Sequence, residues 1–119
     1  MDTFLADVRS RYGDDAVTIR KVGTVNLVRI SPVQMPRRRG TTSVLVELPE
    51  GFRSNGVRPG VYVAPGTTQP NGRPGKNVNS VIAHGEPWLS FSWQFPWDVT
   101  MPGWTLVEGA LRRFAQDED

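Results

Sequence analysis

The residue types that carry most enzyme chemistry are scarce in this chain, which has one histidine and no cysteine. Without cysteine the chain forms no thioester, no disulfide and no thiolate metal site. Acid–base catalysis by imidazole would have to use His84, for which a structural role in a turn is the alternative. A single histidine also excludes a histidine-rich metal site, so the sequence predicts neither a metal nor a cofactor.

Serine chemistry has no supporting motif either. A serine hydrolase would need a serine and a carboxylate beside His84, but the chain has no nucleophile elbow. Ser80, Ser90 and Ser92 are nevertheless the positions where a serine could stand in place of a cysteine, and an oxyester at one of them is an enzymatic alternative. The glycine-rich stretch 72–76 lacks the spacing of a phosphate-binding loop. We therefore predict no catalytic residue.

Charge points to one candidate binding segment. Arginines occupy positions Arg37, Arg38 and Arg39, although the formal net charge of the chain is only +2. Adjacent guanidinium groups bind phosphates or an acidic protein face, and a solvated loop is the alternative. Combined with stacking aromatics, these arginines would make a nucleic-acid-binding module, which the small net charge disfavours. Residues 116–119 are predicted to form a flexible acidic tail.

Aromatic side chains are concentrated in one short segment. Five of the ten residues from 88 to 97 are Trp or Phe. In a domain of this size, most such side chains are expected to pack over the sheet and against the last helix. Those that remain exposed would anchor a partner. Trp88, Trp93 and Trp97 are therefore candidate partner-binding residues, together with His84.

Periodicity predicts the elements that would position these residues. Apolar spacing indicates helices over 3–12 and 102–115. Short apolar runs predict four strands, at residues 17–20, 25–30, 44–48 and 60–64. Proline and glycine predict long loops over 31–42 and 65–87. The predicted fold is α+β: an N-terminal helix, a four-stranded antiparallel meander, a long loop and a C-terminal helix.

The length of the chain and its first residues suggest how many domains it has and in which cellular compartment it lies. A chain of 119 residues is expected to form one domain over 1–119. Its apolar runs are far shorter than the roughly 20 residues needed to cross a bilayer. Acidic residues stand near the N-terminus, where a signal peptide would be positively charged, so we expect a cytoplasmic protein without membrane partners.

Several segments carry a resemblance to a known family. They are Leu48–Phe52, Arg58–Val63, His84–Gly85, Trp88–Trp93 and Trp104 with the last helix. Over roughly residues 40–115 the chain resembles the prokaryotic E2 family E, a bacterial group with the ubiquitin-conjugating (UBC) fold. In active E2 domains an asparagine precedes the catalytic cysteine after the fourth strand. Asn77 or Asn79 is the nearest candidate here, but no cysteine follows.

The resemblance therefore implies a noncatalytic E2-like protein. Bacterial proteins of this group are encoded beside ubiquitin-like proteins and an E1-like adenylating enzyme, frequently in suspected anti-phage systems. The implied partners are the ubiquitin-like protein, the E1-like enzyme or both. We expect docking to use residues 65–87 and the flanking aromatics.

Overall fold

Both predicted helices are present in the computed structural model of the protein, which describes residues 2–35, 40–52, 59–67, 78–91 and 100–116. Helix α1 spans Asp2–Tyr12 and helix α2 spans Gly103–Gln116. The strands are β1 Val17–Val22, β2 Val25–Gln34, β3 Thr41–Pro49, β4 Gly60–Val63, β5 Asn79–Ala83 and β6 Glu86–Ser90. The α+β class is confirmed.

The strands form one antiparallel sheet in the order β1-β2-β3-β4-β6-β5. Its first four strands are the predicted meander. The predicted loop over 31–42 is wrong at both ends, because 31–34 belong to β2 and 41–42 belong to β3. The register of β2 against β3 shifts between Ile30 and Val33. This irregularity accommodates Pro32, which has no backbone N–H to donate to the ladder.

The predicted count of four strands is also wrong, and the loop predicted over 65–87 is wrong in its last part, 79–87, while residues 68–77 lie outside the described residues. Residues 79–83 and 86–90 form a hairpin around His84 and Gly85. Both turn residues have positive φ, 53° and 82°. A two-residue hairpin turn of type I′ has positive φ at both positions. Gly85 and Pro87, which contributed to the loop prediction, belong to this hairpin instead.

One face of the sheet packs against both helices. The buried side chains of the helices recur at helical spacing, and they are Phe4 and Val8 in α1 and Leu106, Val107, Ala110, Leu111 and Phe114 in α2. The helices approach each other closely where α2 begins. A Cβ on Gly103 would lie 2.7 Å from the ring of Phe4, so only glycine fits there. Neither helix in the described part is both long and apolar enough to cross a membrane.

The second face of the sheet is covered by its own last hairpin. Strand β6 meets β4 at only two residue pairs, Tyr62–Ser90 and Val63–Leu89. Beyond them the hairpin lies over the second face, where Trp88 forms a cluster with Leu27 of β2 and Leu45 of β3. These three side chains are only 3 to 5% exposed. The sheet is therefore apolar on both faces, with helices on one and a hairpin on the other.

The two helices are also joined by a polar contact. Asp7 Oδ2 of α1 accepts a hydrogen bond of 2.9 Å from the backbone N–H of Gly103, the first residue of α2. The first N–H groups of a helix have no partner within the helix. A carboxylate from another helix thus serves as the cap, and its charge also interacts favourably with the positive end of the helix dipole.

We expect Asp7→Ala to lower the free energy of unfolding by about 1 kcal/mol, the usual cost of losing a helix cap. Chemical denaturation monitored by circular dichroism measures this change. Asp15→Ala is the matched control, because Asp15 is an exposed carboxylate in the turn after α1. If Asp7→Ala and Asp15→Ala have equal free energies of unfolding, Asp7 does not cap the helix.

Candidate functional site

The only histidine takes part in a polar cluster centred on Glu47 of β3. His84 Nε2 lies 2.5 Å from Glu47 Oε2. Tyr62 of β4 donates its hydroxyl to Glu47 Oε1 at 2.7 Å. A carboxylate accepts hydrogen bonds, so in this contact the imidazole donates from Nε2. Both carboxylate oxygens are therefore engaged.

Local sequence explains how three elements meet at this cluster. Glu47 stands opposite Gly60 in the β3–β4 ladder. A Cβ at Gly60 would lie 2.6 Å from Glu47 Oε1, so glycine leaves the space that the carboxylate occupies. His84 is at the turn of the β5–β6 hairpin, and the bend of the hairpin over the sheet carries its imidazole to β3. The left-handed backbone at His84 is strained for a residue with a side chain.

A second pair of charges lies beside this cluster on the same face. The guanidinium of Arg29 in β2 is 3.5 Å from the carboxylate of Glu86 in β6. Its Cζ also lies 5.4 Å from the ring centroid of Trp88, a cation–π distance. The hairpin is thus attached to the sheet by an imidazole–carboxylate bond, an exposed ion pair and an aromatic contact.

The cluster has the parts of a carboxylate–histidine dyad but no nucleophile among the described residues. Neither Ser80 nor Ser90 is hydrogen-bonded to His84, and Ser92 lies outside the described residues. Within the described residues, no group of His, Asp and Glu could hold a metal ion. Burial, followed by the hydrogen bond to Glu47, raises the pKa of Tyr62 to about 12, so Tyr62 remains a neutral donor.

Two of the predicted site residues lie in the part of the chain that the structure describes. His84 and Trp88 both belong to the β5–β6 hairpin, but Trp88 is buried and cannot be the exposed anchor that we expected. Alternation along β6 points its indole to the sheet. Trp93, Trp97 and Arg37–Arg39 lie outside the described residues, as does 117–119 of the predicted tail, whereas residue 116 ends α2.

One aromatic packs where the sequence predicted. Phe91 contacts Phe114 of α2 edge-on, with ring centroids 5.2 Å apart. It follows directly after β6 and lies in the core shared with the helices. The two described aromatics of the segment therefore lie on different faces of the sheet, Phe91 on the helical face and Trp88 on the other.

Glu47 is the central residue that the sequence did not reveal. It is separated from His84 by 37 positions. In the sequence it is one polar residue of the alternating strand predicted at 44–48, a pattern that normally indicates a solvent-facing side chain. Its exposed fraction, 24%, reflects the hairpin that lies over it.

Comparisons of the chain with models of protein families, with curated proteins and with solved structures find no match.

We expect His84→Asn to lower the free energy of unfolding by about 1 kcal/mol, a typical net value for a partly buried hydrogen bond. Asparagine tolerates the left-handed backbone of the turn, so the substitution removes mainly the contact with Glu47. The control is the same substitution in Glu47→Gln protein, where the loss should be smaller. If His84→Asn lowers the free energy of unfolding equally in the wild type and in Glu47→Gln protein, His84 does not act through Glu47.

Tyr62 should make stability depend on alkaline pH. Its pKa is about 12 in the folded protein and 10.0 in a free side chain, so the folded state holds the proton more tightly. The resulting stabilisation is complete below pH 10.0 and is lost as the pH rises toward about 12. In urea titrations at increasing alkaline pH, Tyr62→Phe should lose stability less steeply than the wild type. Identical slopes would contradict this assignment.

Proposed function

We propose that this chain is a noncatalytic E2-like protein that binds a ubiquitin-like protein, an E1-like enzyme or both in the bacterial cytoplasm. Three features support the proposal. The chain resembles the prokaryotic E2 family E in several segments, and the order of its first helix, meander and last helix agrees with that resemblance. It has no cysteine for a thioester. Its one histidine is bonded to a carboxylate in a structural arrangement.

The observation that carries the binding role is the exposed side of the β5–β6 hairpin. Ile82 is 73% exposed, more than any other large apolar side chain in the described part of the chain. Its cross-strand partner is Pro87, which is also exposed. An exposed isoleucine beside a proline offers an apolar contact of the kind that anchors protein interfaces.

The backbone of β5 offers a second means of binding. Strand β5 is last in the order of the sheet, so its outer edge has no neighbouring strand among the described residues. Free N–H and C=O groups along such an edge can pair with an extended segment of a partner. Ile82 lies within this strand, so one partner can use both the backbone edge and the apolar side chain.

The attachment of the hairpin to the sheet also favours binding. Trp88 is buried below it, and the His84–Glu47 bond fixes its turn. A partner that docks on a fixed hairpin does not have to order it first, so less binding free energy is lost. The proposed docking surface is therefore the solvent-facing side and outer edge of β5, in place of the buried Trp88.

The proposal is tested by native mass spectrometry of the protein mixed with the ubiquitin-like protein and E1-like enzyme expected beside its gene, with and without ATP. A stable noncovalent complex is the expected result. Absence of a complex with either protein under both conditions would overturn the proposal.

Ile82→Asp tests the docking surface. We expect it to weaken the complex by about tenfold or more, because truncating or charging an interface anchor typically costs more than 1 kcal/mol. Val22→Asp is the matched control, since Val22 is an exposed apolar residue on β1 at the opposite edge of the sheet. Circular dichroism establishes that both variants are folded. If the two variants bind equally, β5 is not the docking surface.

A further inference from the structure

A cleft on the helical side of the protein has features that the proposed function does not use. It lies between the last turn of α1, the end of β2 and the second half of α2. Its volume of about 550 Å³ falls within the usual range of small-molecule sites. Val33, Met35 and Leu111 give it apolar walls. It is separate from the β5–β6 hairpin, which covers the other face of the sheet.

Most of the charge in the cleft is already neutralised. Arg11 donates to both carboxylate oxygens of Glu108, at 2.6 and 3.1 Å. The same guanidinium lies 4.8 Å from the ring centroid of Trp104, which holds it in place. A bidentate pair of this kind presents no net charge to a ligand.

Arg112 supplies the remaining charge. It lines the cleft one helical turn after Glu108, and it makes no ion pair within the described residues. The cleft therefore has an excess of one positive charge. An anion bound there would be neutralised by Arg112, while Arg11 stays with Glu108.

Tyr12 adds an unused hydrogen-bond donor. Tyr12 is one of the residues that line the cleft, and its Oη is shielded from solvent without any hydrogen-bond partner. Buried polar atoms almost always have a partner, and leaving one without costs about 1–3 kcal/mol. Burial, and next the negative charge of Glu108, raise the pKa of Tyr12 above its ordinary value. The phenol therefore keeps its proton, and its O–H remains an unused donor.

We infer that this cleft binds a carboxylate attached to an apolar group, with Arg112 as one donor and the Tyr12 hydroxyl, turned toward the ligand by a change of side-chain rotamer, as the other. Two donors and one positive charge suit a planar monoanion. A phosphate carries between one and two negative charges near neutral pH and would leave part of this charge unneutralised in the cleft. The apolar walls at Val33, Met35 and Leu111 would contact the group attached to the carboxylate.

Two sources share this chemistry, namely a free carboxylic acid and the C-terminus of a peptide. The probes are octanoate and the peptide acetyl-Ala-Ala-Leu with a free carboxylate. Octanamide, the peptide amide and inorganic phosphate are the matched controls. Binding is followed on the full chain by the amide resonances of α1, β2 and α2 in ¹H–¹⁵N spectra. We expect at least one acid to bind about tenfold or more tightly than its amide and than phosphate.

The variants Tyr12→Phe and Arg112→Gln test the assigned donors. Each should weaken binding of the acid by about tenfold, as expected for the loss of a hydrogen bond to a charged group. Arg20→Gln is the control, because Arg20 is an exposed arginine on β1 outside the cleft. Tyr12→Phe should leave the thermal midpoint of the free protein unchanged or raise it, because the hydroxyl has no partner to lose.

Either acid alone would identify the source of the ligand and support the inference. Equal binding of acid and amide, tighter binding of phosphate, or no resonance shifts with any probe at millimolar concentration would overturn it. Unchanged affinity in Arg112→Gln would also overturn it. None of these results bears on the complex with a ubiquitin-like or E1-like protein, which is measured at the β5 edge.

Discussion

A sheet that is apolar on both faces must be shielded from water on both. The fold of this protein depends on which element shields the second face. Helices α1 and α2 cover one face. On the other face, Leu27, Leu45 and Trp88 are removed from water by the β5–β6 hairpin. Full burial of a large apolar side chain contributes roughly 1.5–3 kcal/mol. Burial of three such side chains contributes a larger stabilisation than the single, partly exposed His84–Glu47 hydrogen bond. Packing therefore keeps the hairpin on the sheet, and the hydrogen bond fixes its position.

The local elements of the fold could be predicted because their signals lie within short stretches of sequence. Helical spacing in α1 and α2 and the apolar runs of β1–β4 gave the correct types and order. The β5–β6 hairpin was missed because prolines and glycines dominate residues 65–87. A signal for it was present, since His84 and Gly85 separate two short runs with the spacing of a two-residue turn.

The site could not be predicted in the same way, because it depends on contacts between distant parts of the chain. Glu47 and His84 meet only because β6 pairs with β4 over two residue pairs and then turns across the sheet. The sequence around Glu47 and the sequence around His84 contain no pattern that predicts this contact. Trp88 was expected to be exposed for a related reason: alternation along a strand defines two faces, but not which of them another element covers.

The geometry around Glu47 accounts for the attachment of the hairpin to the sheet. A carboxylate that orients a catalytic histidine needs a reacting group on the far side of the imidazole. Here Tyr62 takes the second oxygen of Glu47, and neither described serine of the hairpin is bonded to the imidazole. One face of the hairpin is used in packing, and the proposed docking surface is its other face with the outer edge of β5, which has no neighbouring strand among the described residues. The α1–α2 cleft lies on the opposite side of the sheet, so the two proposed surfaces do not overlap.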